Sequence, residues 1–315
     1  RDLTATGSAR VYANNGSERD VGHYKISHFG KLHGAVSYPA VGSPEDKVRL
    51  AYVIMIHDAM TLLGMQETLD IVYETKHLFV VHVDADTPRN FVDFVTQYYE
   101  DVSNIHVLSN VSVQWGASSI MTAERLLYKY AVDIGGWDLC ITLCGNAFPV
   151  KSPLQIARLV AQNKGLTFSD ARRVDPFDRE QNRWEGYECL DKRCRKVHGS
   201  PDDLPLFKGS QWMALSLDFT RYLVDYSVSD WYNHSVECCI DEYYKQTILY
   251  NSYFKHKTRP FELMFVDWGW PPSAHPNLLT ASDQLSRMSD TFLFARKVIP
   301  GGPLRRWIME TRLQR

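Results

Sequence analysis

Four short runs of almost entirely apolar residues, each followed by a longer segment of helical pattern, restrict most strongly what this chain can fold into. The first run, 48–56, is typical of a strand buried on both faces of a parallel sheet. The alternation, repeating every roughly 25–30 residues, indicates a mainly parallel α/β sheet flanked by helices. We predict strands at 48–56, 77–83, 105–108 and 138–143, and helices at 60–73, 88–99, 118–132 and 153–162.

The charge balance and the absence of several known motifs exclude common function classes. The 315 residues carry 35 Lys and Arg against 37 Asp and Glu, a net charge of −2. A dedicated nucleic-acid-binding protein would need a basic surplus to neutralise phosphates, so nucleic acid is not an expected partner. The Gly-x-Ser-x-Gly elbow, the phosphate-binding P-loop, the Gly-x-Gly-x-x-Gly turn and the His-Glu-x-x-His zinc motif are all missing.

The polar stretch before the first strand predicts a stem or N-terminal arm at 1–45. One domain is expected to follow at 46–300, with a C-terminal tail at 301–315. No run of about 18 apolar residues is present, so a membrane contact is expected only through an anchor upstream of Arg1.

Cysteines and glycosylation sequons favour a Golgi or other secretory-pathway lumen. The six cysteines are too few for a disulfide scaffold but suffice for two or three bridges. A local bridge between Cys189 and Cys194 is favoured over a zinc site, because zinc would need a second Cys/His pair at finger-like spacing. The Asn-x-Ser/Thr sequons begin at Asn15, Asn110 and Asn233.

Residues directly after the strands are the first candidates for a functional site, because ligands in open α/β sheets bind at the carboxyl ends of the strands. They include His57, the pair Asp84 and Asp86, and the turn Trp115–Ser118, where Ser118 is also placed to cap the next helix. Asp84 and Asp86 suit either a divalent cation, through hard oxygens, or a turn. The residues alone leave both interpretations open.

Seven short motifs carry a resemblance to one known family. In order along the chain they are Val48–His57, His82–Asp84, Trp115–Ser118, Leu143–Lys151, Lys208–Trp212, Asp241–Glu242 and Leu293–Lys297. Over about 48–298 the chain resembles the core-2/I-branching β-1,6-N-acetylglucosaminyltransferase family (glycosyltransferase family 14). That family also contains peptide O-xylosyltransferases and plant glucuronosyltransferase-like proteins.

The resemblance implies a GT-A-like fold, with a nucleotide-sugar-binding sheet and an acceptor-binding C-terminal half. It also implies inverting transfer from a UDP-sugar without a metal cofactor. Relatives carry an aspartate where this chain has Ala147, so no carboxylate pair stands where other GT-A enzymes hold their cation. By matching positions, the residues implied to bind the uridine end of the donor are His57, Asp84, Trp115, Gly116 and Ser118.

The resemblance assigns the diphosphate and the acceptor hydroxyl to charged residues in the second half of the chain. Arg296 and Lys297 match the segment that contacts phosphate, where a forked and a point charge would replace a metal ion. Glu242 matches the catalytic glutamate, the general base of an inverting transferase. From the residues alone, Asp241 would instead cap a helix and Glu242 would interact with its dipole.

The sugar contacts are less well defined by the sequence. Gln211 and Trp212 belong to a shared motif, although xylosyltransferase-type relatives carry Asp in place of Gln211, and an aromatic loop offers Trp268 and Trp270 for stacking on a sugar. The donor sugar is left open among GlcNAc, xylose and glucuronic acid, and the acceptor is a glycan or glycoprotein.

Two rival hypotheses follow from the same residues. One is a metal-dependent transferase that uses Asp84 and Asp86. The other is a catalytically silent sugar-binding protein, which the substitutions at Ala147 and Gln211 would permit.

Overall fold

A seven-stranded sheet lies at the centre of the protein. The computed structural model describes residues 36–174, 204–228, 239–270 and 275–314, and the backbone of four short strands at 10–12, 18–20, 186–190 and 193–197. The described strands are β1 (Arg10–Tyr12), β2 (Glu18–Asp20), β3 (Leu50–Ile56), β4 (Leu78–Val83), β5 (Ile105–Leu108), β6 (Leu139–Cys144), β7 (Phe148–Pro149), β8 (Thr167–Ser169), β9 (Arg172–Arg173), β10 (Gly186–Leu190), β11 (Arg193–Val197), β12 (Phe207–Lys208), β13 (Ala214–Ser216), β14 (Thr258–Pro260), β15 (Met264–Val266) and β16 (Phe294–Arg296).

Helices connect and cover these strands. In the described part they are α1 (Ala59–Val72), α2 (Arg89–Tyr99), α3 (Ser118–Ile134), α4 (Pro153–Gln162), α5 (Leu217–Asp225), α6 (Tyr244–Tyr250) and α7 (Pro303–Thr311), with 3-10 turns at Ile240–Glu242, Tyr253–Lys257 and Ser282–Arg287. The eight predicted strands and helices are confirmed, each end within two residues of the observed one.

The order of the strands in the main sheet is β14-β8-β13-β6-β3-β4-β5. Strands β3, β4, β5 and β6 are parallel, whereas β13 runs antiparallel to its neighbours β6 and β8. The carboxyl ends of β3, β4 and β6 therefore meet at one edge, where ligands of such sheets bind. The predicted mainly parallel α/β sheet is confirmed.

Both faces of the sheet are buried, which explains the continuous apolar runs. Along β3, Tyr52 and Ile54 pack into the core that contains α1, α2, α4 and α7. Ala51 and Val53 pack into the core on the other face, with α3, α5 and α6. A strand covered on both sides needs apolar residues at every position rather than at every second one.

Side-chain caps fix the starts of α1, α4 and α5 but not that of α3, and Ser216 caps α5. Asp58 and Ser152 cap α1 and α4, each in a capping box. The prediction that Ser118 caps α3 is wrong: Ala117 is the N-cap residue, and Ser118 is the first residue of the helix. The hydroxyl of Ser119 instead accepts a hydrogen bond of 2.8 Å from the backbone N–H of Gln114 in the preceding turn.

Helix α1 packs against the turn after β6 at backbone contact. A Cβ atom at Gly64 would lie 2.0 Å from the carbonyl oxygen of Gly145, and one at Gly145 would lie 2.0 Å from that of Thr61. Only glycine fits both places. The close packing joins α1 to the sheet edge at which the parallel strands end.

A second sheet of three strands, β15-β16-β7, lies beside this edge, and its strand β16 ends at Arg296. Residues 303–311, within the segment predicted as a tail, form the helix α7, whose Leu304 and Ile308 are buried in the core. The backbone N–H of Ser37 donates to the carbonyl of Leu313 at 2.8 Å, so the described part of the arm packs beside α7. The domain boundaries at 45 and 300 stay predictions.

The predicted modification sites are only partly covered by the structure. Asn110 is exposed after β5, whereas Asn15 and Asn233 lie outside the described residues. Cys189 and Cys194 are register partners on β10 and β11, but their side chains are outside the description, so the bridge stays a prediction. None of the helices in the described ranges has the length and apolarity needed to cross a bilayer.

Candidate active site

A cleft of about 920 Å³ opens at the carboxyl edge of the parallel strands, within the size range of ligand sites. Its walls come from the ends of β3, β4, β6 and β16, the turn before α3 and the turn before α6. Ten residues predicted for the site line it: His57, Asp84, Trp115, Gly116, Gln211, Trp212, Glu242, Trp268, Arg296 and Lys297. The cleft lining does not include Ser118 or Trp270, and Trp270 is 89% exposed.

At one end of the cleft, Asp84 holds a turn together. Its Oδ1 accepts hydrogen bonds from the backbone N–H groups of Asp86 (3.1 Å) and Val113 (3.0 Å). The hydroxyl of Ser112 donates to Oδ2 of Asp86 at 2.5 Å. The two carboxylates therefore serve the turn, one of the two interpretations that the sequence left open. Within the described ranges no three His, Cys, Asp or Glu side chains form a group that could hold a metal ion.

Trp115 forms the lip of the cleft near this turn. Its side chain is 64% exposed, and its ring centroid lies 5.5 Å from that of His275, on the loop that also carries Trp268. The positive φ of Gly116, 76°, makes the sharp turn that presents Trp115. The exposed rings of Trp115 and Trp268 therefore both line the cleft, where they could stack on a planar base or on the apolar face of a sugar.

A pair of cations, Arg296 and Lys297, lies at the carboxyl end of β16. The guanidinium of Arg296 packs over the Trp212 ring at 4.7 Å, and its Nε is buried without a hydrogen-bond partner in the described structure. Burial, and after it the charge of Arg296, lower the pKa of Lys297. Among the described residues neither side chain has an acidic partner. Two adjacent uncompensated cations in a cleft make a site for an anion.

Glu242 projects into the cleft from a 3-10 turn. Its carboxylate is 3.2 Å from Nζ of Lys208, and its side chain is 28% exposed. The turn begins after Cys239, whose φ is 79°, and the following helix α6 has Tyr243 at its N-cap position with no side-chain cap. The interpretation of Asp241 as a helix cap is therefore wrong.

Asp241 is instead a buried carboxyl, only 6% exposed, at the wall of the cleft. Burial, and then the negative charges of Glu124 and Glu242, raise its pKa to about 7. Asp241 and Glu242, neighbours in sequence, thus have different environments, one buried and one half-exposed beside a lysine.

A buried polar cluster around Glu124 lies behind this wall. Glu124 accepts hydrogen bonds from Lys245, from the hydroxyl of Tyr244 (2.6 Å) and from Nε2 of Gln211 (3.1 Å). Glu124, Tyr244 and Lys245 are each 0% exposed. Gln211 therefore points its amide at Glu124, which connects the Gly-Ser-Gln-Trp segment to the helix after Glu242.

Sequence reasoning missed the roles of Lys208, Glu124 and Lys245. Glu124 does leave a signal: it falls between Ile120 and Leu127 on the apolar face of the predicted helix, where a charge needs a buried partner. The family motif Lys208–Trp212 includes Lys208, but nothing in the sequence shows its contact with Glu242, because that contact joins segments that meet only in the folded chain.

The raised pKa of Asp241 predicts a pH-dependent stability. Between about pH 4 and pH 7 the unfolded chain has lost this proton and the folded chain keeps it, so the free energy of unfolding falls as pH rises. We expect Asp241→Asn to raise the melting temperature relative to the wild type, by more at pH 8 than at pH 5. Thermal unfolding across this range checks it, with Asp225→Asn on the exposed surface as the control for losing a carboxylate. A difference that does not grow with pH would contradict the prediction.

The family model for the Core-2/I-branching enzyme matches residues 50–288, about three quarters of the chain. The chain belongs to this family. The match includes Asp84, Trp115 and Glu242, whereas Arg296 and Lys297 follow its end. The resemblance carried by the seven motifs is thereby confirmed.

Two kinds of enzyme are among the curated relatives that this chain resembles. A bovine (Bos taurus) β-1,3-galactosyl-O-glycosyl-glycoprotein β-1,6-N-acetylglucosaminyltransferase is 26% identical over 183 residues, covering 56% of this chain and 42% of the relative. The Arabidopsis thaliana β-glucuronosyltransferase GlcAT14A is 25% identical over 264 residues, covering 74% of this chain and 58% of the relative. The chain spans about half the length of the curated relatives it matches.

Proposed function

We propose that the protein is an inverting, metal-independent β-glycosyltransferase that moves a sugar from a UDP-sugar to a hydroxyl of a glycan or glycoprotein. The observation that carries this proposal is one cleft lined both by an Arg–Lys pair with no acidic partner among the described residues and by a partly exposed glutamate. The family and its curated relatives support the reaction class. The silent sugar-binding alternative finds no support in a site that retains both the base and the cations.

The proposed reaction uses the negative carboxylate of Glu242 and the positive side chains of Arg296 and Lys297. The acceptor hydroxyl attacks the anomeric carbon of the donor while Glu242 takes its proton, and the bond from that carbon to the diphosphate oxygen breaks. Arg296 and Lys297 balance the negative charge that builds up on the departing UDP. Lys208, 3.2 Å from the Glu242 carboxylate, holds it in position.

Metal independence is part of the proposal and is supported by the donor groups present. The carboxylates of Asp84 and Asp86 already accept hydrogen bonds within their turn, and two fixed cations offer the charge that a divalent ion would supply. In this proposal Asp84, with Trp115 and His57, contacts the uridine end of the donor, and the exposed ring of Trp268 contacts the acceptor sugar. The sequons favour a secretory-pathway lumen as the place of action.

A donor panel tests the proposed function. UDP-GlcNAc, UDP-xylose and UDP-glucuronic acid are each incubated with the protein and a mixture of glycan acceptors, and UDP release is measured with and without EDTA. We expect acceptor-dependent release from one donor, unchanged by EDTA. Activity that EDTA removes and manganese restores would replace the proposal by the metal-dependent alternative. Saccharide binding without release from any donor would favour the silent protein.

A further inference from the structure

Arg305, on the first turn of α7, is a buried cation that the proposed reaction does not use. Its side chain is 4% exposed. Its Nε donates to the carbonyl of Ile299 at 3.1 Å, and its Nη2 donates to that of Val298 at 3.1 Å. These are the two carbonyls that directly follow Lys297. The guanidinium therefore binds the backbone immediately after Arg296 and Lys297.

The other side of the same guanidinium is fixed to α1. Nη1 donates to the carbonyl of Gly64 at 3.4 Å and forms an ion pair with Glu67 at 2.5 Å. Glu67 in turn accepts a hydrogen bond of 2.8 Å from the backbone N–H of Gly301. The planar group also lies over the Phe148 ring, 4.4 Å from its centroid. Arg305 thus joins α1, β7 and the segment 298–301.

The backbone around Lys297 is held at two further points. The carbonyl of Lys297 accepts from the N–H of Leu279 at 2.7 Å, and the N–H of Val298 donates to the carbonyl of Asn146 at 3.0 Å. Burial lowers the pKa of Arg305 to about 10, so it stays charged at neutral pH. These contacts fix the backbone conformation of the segment that carries Arg296 and Lys297.

We propose that Arg305 is a positioning residue for nucleotide binding. It holds the segment after Lys297 in place, so that the two cations point into the cleft before the donor arrives. The inference rests on the proposed function, in which these cations contact the diphosphate. Groups that are already ordered avoid the loss of conformational freedom on binding. Only the forked, planar guanidinium reaches all of these acceptors, so lysine is not an adequate substitute.

The test compares UDP binding by Arg305→Lys with that by Ile308→Ala, measured by calorimetry at a temperature where both are folded. Ile308→Ala loosens the same helix by removing core packing, but keeps the hydrogen bonds to Val298 and Ile299. We expect Arg305→Lys to raise the Kd for UDP by about 10-fold or more, and Ile308→Ala to leave it within about twofold. In turnover, Arg305→Lys should raise KM for the donor more than it lowers kcat.

Two outcomes would overturn the inference: a folded Arg305→Lys that binds UDP as the wild type does, or an Ile308→Ala that loses as much affinity. Should Arg305→Lys fail to fold, Glu67→Gln replaces it in the same comparison, because it removes the ion pair of Arg305 and keeps an acceptor for Gly301. UDP binding weaker than that of Ile308→Ala supports the inference, and equal binding overturns it.

Lys297→Met separates this inference from the proposed function. If Lys297→Met binds UDP normally, the phosphate assignment itself fails. If it binds weakly while Arg305→Lys binds normally, only the role of Arg305 fails. In the double variant the two losses should be less than multiplicative, because Arg305 acts through Lys297 and its neighbour. Fully multiplicative losses would show that Arg305 acts independently, and would also overturn the inference.

Discussion

Glu242→Gln is expected to lower the rate of sugar transfer by about 100-fold or more, the loss typical of removing a general base. Glutamine keeps the size of the side chain but cannot take the proton from the acceptor hydroxyl. Because the cations that hold the diphosphate are untouched, UDP should bind as in the wild type. The measurement is kcat with the donor identified by the panel, together with calorimetry for UDP.

The control for this variant is Glu262→Gln, which neutralises an exposed carboxylate that does not line the cleft. It should transfer sugar at the wild-type rate. Near-normal transfer by Glu242→Gln would show that the base is misassigned. The other carboxyl at the wall, Asp241, would then be the next candidate.

The double variant Arg296→Gln/Lys297→Met should weaken UDP binding by about 100-fold or more. A hydrogen bond to a charged group is worth roughly 1.5–3 kcal/mol, which is about one to two factors of ten in affinity for each side chain. Uridine, which lacks the diphosphate, should bind both proteins alike. The dissociation constants for UDP and uridine, measured by calorimetry, test both statements.

Lys129→Met on the exposed face of α3 is the matched control for the loss of a lysine, and it should leave both affinities unchanged. Unchanged UDP affinity in the double variant would remove the basis of the proposed metal independence. The same conclusion would follow if the wild type needed manganese to bind UDP. If the double variant lost as much affinity for uridine as for UDP, the two cations would contact the uridine and not the diphosphate.

The main sheet could be predicted from the sequence because its strands are buried on both faces. Apolar residues at every position of β3, and at every position of β4 except His82, mark the strands and end where the chain reaches the sheet edge. The same logic found Asp84, which directly follows β4, and Trp115, which lies between β5 and α3. Family motifs, rather than the residue pattern, drew attention to Glu242 and Lys297.

What the sequence could not provide are contacts between distant segments. The position of Lys208 beside Glu242 joins a short strand to a turn more than thirty residues later, and no local pattern encodes it. Helix α7 has only a narrow apolar stripe among charged residues, which is a weak signal for a packed helix in the segment predicted as a tail. From the residues alone Asp241 is expected to cap a helix, because helix-start residues and buried acids look alike in a sequence; burial alone distinguishes them.

The order of strands in the main sheet has a consequence for how the protein is made. The parallel strands β5, β4, β3 and β6 all come from residues 50–144, so their pairing is local in sequence and needs no strand from later in the chain. Strand β16 and helix α7 come later in the chain than all seven strands of the main sheet, and this later part carries the cations and Arg305. We therefore expect a chain that stops before β16 to contain every strand of the main sheet but to lack the cations that would bind a nucleotide diphosphate.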